Sequence, residues 1–422
     1  MTRTQRLILM GLGTLCLGLV GMTAFLALRW STSARVETIT PQAAASAYPT
    51  EAGYTAPLPL ATPTPSANPT SIPPSPSPLP PQTPVANISP ARSAFPDLTC
   101  VKPMIGGLGS EIYAIVLAMP GPNSEGLRIP TEAQMAAWEE LVHAVLQGEI
   151  PAACQIIHSQ GFPYHLVYFT DVRNNRERYW MLREDAPVST GWGTYVFRTA
   201  GNSQDLAEQF PLIIEVPHPV ADWFTDPQAV TIFRQSRARA LLVAGTHRCA
   251  NSDFSTCTGQ TWACGPLEAY RVSDAAHTTQ SMFQATHRAL SPCDGTTITL
   301  QLHANSLGSC PDLFISNGTL FPGARSQALY QAASSACEGY TVDIGDGVGL
   351  NGKDECVFTG GASAQAVYSN SCPTDPAVNA CADPPPRPAG AEQYISLEQS
   401  GKLTDDYQCL VEAIQAVWGA AP

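Results

Sequence analysis

The chain has 422 residues, in which 35 acidic side chains outnumber 22 lysines and arginines and give a net charge of −13 at pH 7. This excess of negative charge disfavours nucleic acid and anionic membrane surfaces as partners. The length allows one large domain or two small ones beyond the N-terminal region, and no repeat is visible.

A long uncharged segment near the N terminus predicts a membrane anchor. Two arginines precede a charge-free run from Leu7 to Leu28, and about 20 apolar residues suffice to cross a bilayer. We therefore interpret residues 1–30 as an uncleaved signal anchor with a cytoplasmic N terminus. A cleaved signal peptide and a secreted form are the alternative.

Residues 31–96 are predicted to form a disordered stalk. Between Pro57 and Pro84 there are 12 prolines in 28 residues and no charge. Such a segment cannot bury a core and extends as polyproline II. We therefore expect a single-pass protein of the cell membrane, with residues 97–422 as an extracellular C-terminal domain.

The cysteines of this C-terminal domain predict a disulfide framework. Residues 97–422 hold 12 of the 13 cysteines, and an even number in an exported chain is typical of disulfides, whose connectivity stays open. No tight Cys-x-x-Cys spacing occurs, which disfavours a structural zinc cluster.

Alternating helical and strand patterns predict an α/β domain with a mixed sheet flanked by helices. We divide it into an N-terminal part, 97–209, and a core, 210–422. In chain order the predicted elements are a helix (Pro130–Gly148), a hairpin (Tyr164–Thr170 with Arg178–Arg183), a strand (Gly193–Arg198), a strand from Leu212, a helix (Pro227–Arg237), a strand (Ala238–Gly245), a helix near Met282–Leu290 and a strand (Thr296–Asn305).

The strand that begins at Leu212 ends in a candidate site. Its apolar start, Leu212–Ile214, is typical of a strand buried on both faces. Two prolines then enclose His218 and restrict its backbone, and Asp222 and Asp226 follow. A histidine with a nearby carboxylate is half of a zinc site, although an ordinary surface histidine is the alternative.

Histidines stand at or just beyond the ends of three successive predicted strands. These are His218, His247 and His303, and five of the eight histidines lie between residues 218 and 303. Ligands of open α/β sheets bind at the carboxyl ends of the strands. Three imidazoles used only to fill a core would cost desolvation, so we expect one shared site.

The order of these features resembles the zinc-exopeptidase-like hydrolases, which have a phosphorylase/hydrolase-like fold. This group includes the N-formylglutamate amidohydrolases, to which the similarity is greatest, and more distantly the metallocarboxypeptidases and the aspartoacylase group. The resemblance extends from about Phe210 to Lys402, and four segments carry it: Glu215-Val-Pro-His218, Leu302-His303, Asp312-Leu-Phe-Ile-Ser-Asn-Gly318 and Gln393-Tyr-Ile-Ser-Leu-Glu-Gln399.

The resemblance implies one catalytic Zn²⁺ per chain, held by His218, Asp222 and His303 with a fourth position for water. The sequence departs from the family in two respects. The loop after His218 lacks the usual glycines, and many relatives have glutamate as the second ligand. Aspartate is one methylene shorter, so the loop must approach the metal more closely. Asp226 is the alternative second ligand.

The late strand of the same resemblance supplies a predicted general base. A period of two places Tyr394 and Glu398 on one face of that strand, and a general base must stand beside the attacking water. We predict Glu398 for this role, with Glu338 as the alternative. Arg248, which follows the second strand of the core, is predicted to stabilise the charge that develops in hydrolysis.

Further predicted site residues lie between positions 247 and 277. Asp274 is predicted to orient a ligand imidazole as an outer carboxylate, or else to cap a helix. The predicted substrate-binding residues are His247, Asn251, Arg271 and His277.

Together these features predict a membrane-anchored extracellular zinc hydrolase. The expected substrate is a small one, an N-acyl amino acid, a peptide or a cell-wall-derived peptide, and the reaction is cleavage of its amide bond by metal-activated water. Besides this substrate and the membrane, we expect no nucleic acid and no obligate protein partner. A catalytically inactive ectodomain that binds or senses a ligand on the same fold is the alternative.

Overall fold

The computed structural model describes residues 98–198, 212–236, 238–291, 295–319, 321–346, 356, 360–372, 381 and 393–419. The predicted anchor and stalk lie outside these ranges. Within them, every helix is too short or too polar to traverse a bilayer.

Ten strands of the described residues form one mixed sheet, which confirms the mixed sheet of the predicted fold class. The strands are β1 (Val101–Gly106), β2 (Tyr164–Asp171), β3 (Glu177–Glu184), β4 (Thr194–Arg198), β5 (Leu212–Val216), β6 (Ala240–Val243), β9 (Ile298–Asn305), β10 (Leu313–Ser316), β11 (Val342–Ile344) and β12 (Tyr394–Ser400). A separate small hairpin consists of β7 (Gln260–Thr261) and β8 (Glu268–Ala269). The order in the large sheet is β1-β2-β3-β4-β6-β5-β9-β12-β10-β11.

The four central strands β6, β5, β9 and β12 are parallel to one another. Their carboxyl ends therefore lie along one edge of the sheet, where ligands of α/β folds bind. The neighbouring strands β4 and β10 run antiparallel to this block. The predicted β-α-β unit, with β5 and β6 parallel, is confirmed.

Helices cover both faces of the sheet. They are α1 (Leu108–Leu117), α2 (Glu132–Leu146), α3 (Ile150–Gln160), α4 (Thr225–Gln235), α5 (Met282–Leu290), α6 (Ala324–Ala336), α7 (Ala364–Ser371), α8 (Gly401–Asp405) and α9 (Gln408–Trp418), with a 3₁₀ helix at Ala275–His277. One core joins α1, α4, α6 and α9 to the sheet, and the other joins α2, α3 and α5. Ile214 belongs to the first core and Ile213 to the second, as the alternation of a strand requires.

Two local signals explain why α2 forms where the sequence predicts it. Thr131 accepts a hydrogen bond from the Gln134 backbone N–H, and the Gln134 side chain accepts one from the Thr131 backbone. This capping box satisfies two of the free N–H groups at the helix start. Gly148, beyond the last turn, has φ +75°, which glycine adopts without strain.

Disulfides are present, as predicted from the cysteine count. Five bonds join described cysteines: Cys100–Cys154, Cys249–Cys264, Cys257–Cys381, Cys310–Cys356 and Cys337–Cys409. The second and third hold the loop that follows β6. They restrict this loop on the site side of the sheet, because it leaves the carboxyl end of a parallel strand.

Candidate metal centre

The loop after β5 brings Asp222 back beside His218. The Asp222 backbone N–H donates to the His218 carbonyl oxygen over 2.8 Å, which closes one turn of chain. The Asp222 carbonyl in turn accepts a 2.7 Å hydrogen bond from the Thr225 hydroxyl. Both side chains are buried, with His218 1% and Asp222 6% exposed. The loop therefore presents an imidazole and a carboxylate together.

A second imidazole reaches the same carboxylate from β9. His303 Nδ1 lies 3.2 Å from Asp222 Oδ2, and His218 Nδ1 lies 3.3 Å from the same oxygen. The two imidazole ring centres are 5.0 Å apart. Three atoms that could bind a metal ion, two from the loop after β5 and one from β9, thus lie within 4.8 Å of one another.

The far nitrogen of His218 is occupied by an acceptor. Asp274 Oδ1 lies 2.8 Å from His218 Nε2 and 3.0 Å from His277 Nδ1. Its other oxygen accepts two hydrogen bonds from Arg248, of 3.0 and 2.6 Å. His218, Asp274 and His277 also form a ligand-like group, but Arg248, on the other oxygen of Asp274, already supplies a positive charge to that carboxylate.

The far nitrogen of His303 also faces an acceptor. Its Nε2 donates to Gln301 Oε1 over 2.9 Å. The orientation of the Gln301 amide is fixed, because its Nε2 donates to Glu215 Oε2 over 3.0 Å and its Oε1 accepts from the Tyr394 hydroxyl over 2.7 Å. The imidazoles of His218 and His303 therefore both carry their proton on Nε2 when neutral.

This proton assignment gives a test of whether a metal fits. Neutral His218 and His303 each direct an Nδ1 lone pair at a carboxylate oxygen, and lone pairs do not stabilise one another. A cation between them resolves the arrangement. Zinc–ligand bonds of about 2.0–2.1 Å in a tetrahedron separate neighbouring ligand atoms by about 3.3–3.4 Å. The Nδ1 atoms of His218 and His303 lie 3.3 and 3.2 Å from Asp222 Oδ2. The donor set fits Zn²⁺.

The electrostatics of the site favour positive charge at this position. Burial and Arg248 oppose protonation of His218, but Asp274 and Asp222 outweigh them and raise its pKa. Burial would raise the pKa of Asp222, yet His218 and His303 hold it below its usual range. The Asp274 pKa is held well below its usual range by Arg248, His277 and His218 against the effect of burial. Both carboxylates are therefore ionised at neutral pH.

Of the two aspartates that the sequence offered as second ligand, the structure brings Asp222 into the group and leaves Asp226 out of it. Asp226 lies in the first turn of α4 and is buried. Burial raises its pKa to about 6, and none of the described residues forms an ion pair with it to offset that cost. Asp222 closes the turn that begins at His218, whereas Asp226 lies beyond that turn, in helix α4. The two carboxylates therefore have different surroundings.

We expect Asp226→Asn to stabilise the protein at pH 8 and to leave zinc binding unchanged. The folded-state pKa of about 6 exceeds the ordinary 3.8. Below about pH 4 the carboxyl of Asp226 is neutral in both the folded and the unfolded state and does not lower the free energy of unfolding. Above about pH 6 it is ionised in both states, and its burial lowers the free energy of unfolding by the full amount. A pKa difference of about two corresponds to roughly 3 kcal/mol, and the lost interaction with the helix dipole offsets part of it.

Urea unfolding between pH 4 and pH 8 measures this effect. The free energy of unfolding of Asp226→Asn should exceed that of wild type by about 1–2 kcal/mol at pH 8, and the gain should vanish near pH 4. Asp222→Asn is the matched variant and should lose zinc. If Asp226→Asn lost zinc and Asp222→Asn kept it, Asp226 would be the metal ligand in place of Asp222.

Glu398 lies beside the metal group. It is the register partner of His303 in the parallel β9–β12 pair, and its side chain is largely buried. Burial raises the pKa of Glu398, His303 lowers it and Asp222 raises it, with a net increase. None of the described residues donates a hydrogen bond to this carboxylate. The group is therefore placed, and free, to accept a proton.

The other predicted site residues divide into two sets. Arg248 and His277 contact Asp274, and His277 stacks on Tyr270 with ring centres 3.7 Å apart. The side chains of the second set bond elsewhere. Asn251 hydrogen-bonds to both backbone groups of Leu127, Arg271 pairs with Glu268, and His247 accepts from the Cys249 backbone N–H. Glu338, the alternative general base, is exposed.

Sequence reasoning missed the buried partner of His303. Gln301 stands two residues before His303 in β9, so the alternation of the strand places both side chains on one face. That periodicity was a usable signal. Glu215 and His287, which lie 2.7 Å apart behind Gln301, left no such signal because 72 residues separate them.

No protein-family model and no curated protein matches the sequence. Solved structures do show similarity. One is N-formylglutamate amidohydrolase from Ralstonia eutropha JMP134, with 14% identity and a TM-score of 0.28 over 50% of this chain and 92% of that chain. Another is a metallo-carboxypeptidase from Burkholderia cenocepacia, with 10% identity and a TM-score of 0.31 over 53% of this chain and 59% of that one.

A third similar structure is carboxypeptidase A from Helicoverpa armigera, with 10% identity and a TM-score of 0.32 over 74% of this chain and 80% of that one. These are the groups that the sequence motifs resemble. At such identities and scores the similarities say nothing about activity, which has to be argued from the residues of the site.

Proposed function

We propose that this protein is a zinc-dependent hydrolase that cleaves an amide bond in a small substrate, an N-acyl amino acid, a peptide or a cell-wall-derived peptide. One observation carries the proposal. The Nδ1 atoms of His218 and His303 converge on a single oxygen of Asp222, while each Nε2 is held by an acceptor. This arrangement leaves lone pairs facing a carboxylate, and a metal ion supplies the missing positive charge.

The residues around the ligands suit hydrolysis. Zn²⁺ bound there would polarise a carbonyl and lower the pKa of a bound water. Glu398, register partner of His303, would accept the proton of the attacking water and pass it to the leaving nitrogen. Arg248 pairs with Asp274 through its Nε and Nη2, and its guanidinium would stabilise the negative charge that develops on the substrate.

The experiment that tests this function combines metal analysis with a substrate panel. Purified full-length protein should contain about one zinc per chain and hydrolyse at least one member of a panel of N-acyl amino acids and short peptides. A protein that binds no transition metal at micromolar supply is not such a hydrolase. Zinc with ligand binding but without turnover across the panel would support the sensing alternative.

We also propose that the domain is displayed outside the cell by an N-terminal anchor. The uncharged run Leu7–Leu28 and the proline-rich segment that follows support this proposal, as do the disulfides, which persist in oxidising compartments. Proteinase K added to intact cells should therefore digest the chain. Protection in intact cells, with digestion after lysis, would contradict the proposed topology.

A further inference from the structure

A second layer of buried polar residues lies behind the ligand His303. Glu215 in β5 accepts from His287 Nδ1 with Oε1 over 2.7 Å and from Gln301 Nε2 with Oε2 over 3.0 Å. His287 Nε2 lies 2.9 Å from the Ser369 hydroxyl. Glu215 is the register partner of Gln301 in the parallel β5–β9 pair. A continuous chain of hydrogen bonds therefore runs from Ser369 to His303.

The order serine, histidine, carboxylate in this chain is that of a nucleophilic triad. Burial excludes that role, because Glu215 and His287 are 0% exposed and Ser369 is 1% exposed. No substrate carbonyl can reach the Ser369 hydroxyl. The three residues therefore have a structural role in this network. Gln301 links them to His303, because it hydrogen-bonds to both Glu215 and His303.

The consequence of this layer concerns which end of the Gln301 amide faces His303. Glu215 accepts only, so it draws the Gln301 NH₂ group to itself, and Gln365 Oε1 accepts from the same group over 3.1 Å. The Gln301 oxygen is then left for His303 Nε2–H and the Tyr394 hydroxyl. If the amide were reversed, its NH₂ group would face the Tyr394 hydroxyl and His303 Nε2, both of which donate in the present arrangement. His303 Nε2 would then have to accept, which favours the form of His303 that is protonated on Nδ1.

We propose that Glu215 is a positioning residue for the metal centre. Through Gln301 it keeps His303 protonated on Nε2 and so leaves the Nδ1 lone pair available to bind a metal ion. This inference rests on the proposed function, since it assigns Glu215 a purpose in zinc binding. It also explains why a carboxylate lies fully buried in β5, three residues before His218, where a carboxylate without partners would be costly.

Zinc affinity of three variants of the full-length protein, measured by competition with a chromophoric chelator, tests the inference. Glu215→Leu removes the acceptor, and we expect zinc affinity to fall by about 10- to 100-fold, the usual effect of losing an outer partner of a ligand. Glu215→Gln should keep affinity close to wild type. Its amide oxygen can still accept from Gln301 once His287 moves its proton to Nε2 and donates to Ser369.

The matched control is Thr286→Val. Thr286 is as buried as Glu215, lies next to His287 and hydrogen-bonds to Trp138, but has no contact with Gln301. It should therefore lose stability and keep its zinc affinity. An equal loss of affinity in Glu215→Leu and Thr286→Val would assign the effect to general packing, and wild-type affinity in Glu215→Leu would also overturn the inference.

The tautomer of His303 can be observed without metal or turnover. In zinc-free protein labelled with ¹⁵N-histidine, the signals of His303, assigned by comparison with His303→Asn, should show a proton on Nε2. A proton on Nδ1 in wild type overturns the inference even if Glu215→Leu does not fold. If wild type binds no zinc, the proposed function fails, and the tautomer still decides whether Glu215 and Gln301 orient His303.

Discussion

The His303→Ala variant is expected to lose zinc almost completely. Wild type should bind about one zinc per chain through three protein ligands, and removal of His303 leaves two. The loss in affinity should exceed the roughly 10- to 100-fold that follows removal of an outer partner. It should also free Asp222 Oδ2, whose contact with His303 Nδ1 is 3.2 Å. Elemental analysis measures the zinc content, and competition with a chelator measures the zinc affinity. His218→Ala should show the same loss.

The control for this variant is His143→Ala. His143 is an exposed histidine of α2 and is outside both ligand groups. It should retain the zinc of wild type, because the same substitution there removes no ligand. If His303→Ala kept its zinc, or if His143→Ala lost it as well, the metal would be bound elsewhere, and the assignment of His218, Asp222 and His303 would be wrong.

The Glu398→Gln variant is expected to retain zinc and lose turnover. Glutamine has the same shape as glutamate but cannot accept the proton of the attacking water. General base catalysis typically contributes about 10²- to 10⁴-fold, so kcat on any substrate that wild type hydrolyses should fall within that range. Burial favours this role, since it raises the pKa of Glu398 above the ordinary value for glutamate and makes the carboxylate a stronger base.

Glu412→Gln supplies the comparison. Glu412 is an exposed glutamate of α9, so the same change of functional group should leave both zinc content and kcat at wild-type values. Unchanged kcat in Glu398→Gln would remove Glu398 from the reaction. Loss of zinc in Glu398→Gln would instead indicate that Glu398 is itself a metal ligand.

The parts of the fold that could be predicted were those specified by local patterns. The apolar runs of β5 and β6 and the helix between them form one β-α-β unit, as predicted. This unit and β9 align their carboxyl ends because parallel strands share an edge. For this reason His218 and His303 could be placed together before any distance was known.

Other features required tertiary packing. Nothing in the sequence near Arg248 shows that it pairs with Asp274, 26 residues later, because the pairing depends on how the loop after β6 folds back. The antiparallel insertion of β10 between β12 and β11 is likewise absent from any local pattern. The pairing of Glu215 with His287 depends on α5 packing on the sheet, which only the assembled core defines.

The disulfide Cys249–Cys264 has a consequence for the order of maturation. Cys249 directly follows Arg248, and a second bond, Cys257–Cys381, fastens the same loop to a distant segment. Glutathione keeps such thiols reduced in a cytosol, where the loop would lack both covalent fastenings. For an exported chain, we therefore expect oxidative closure of this loop to precede the final placement of Arg248 against Asp274. If the domain is exported and binds zinc, as proposed above, zinc loading would be a late step that follows translocation and draws on the zinc supply outside the cytosol.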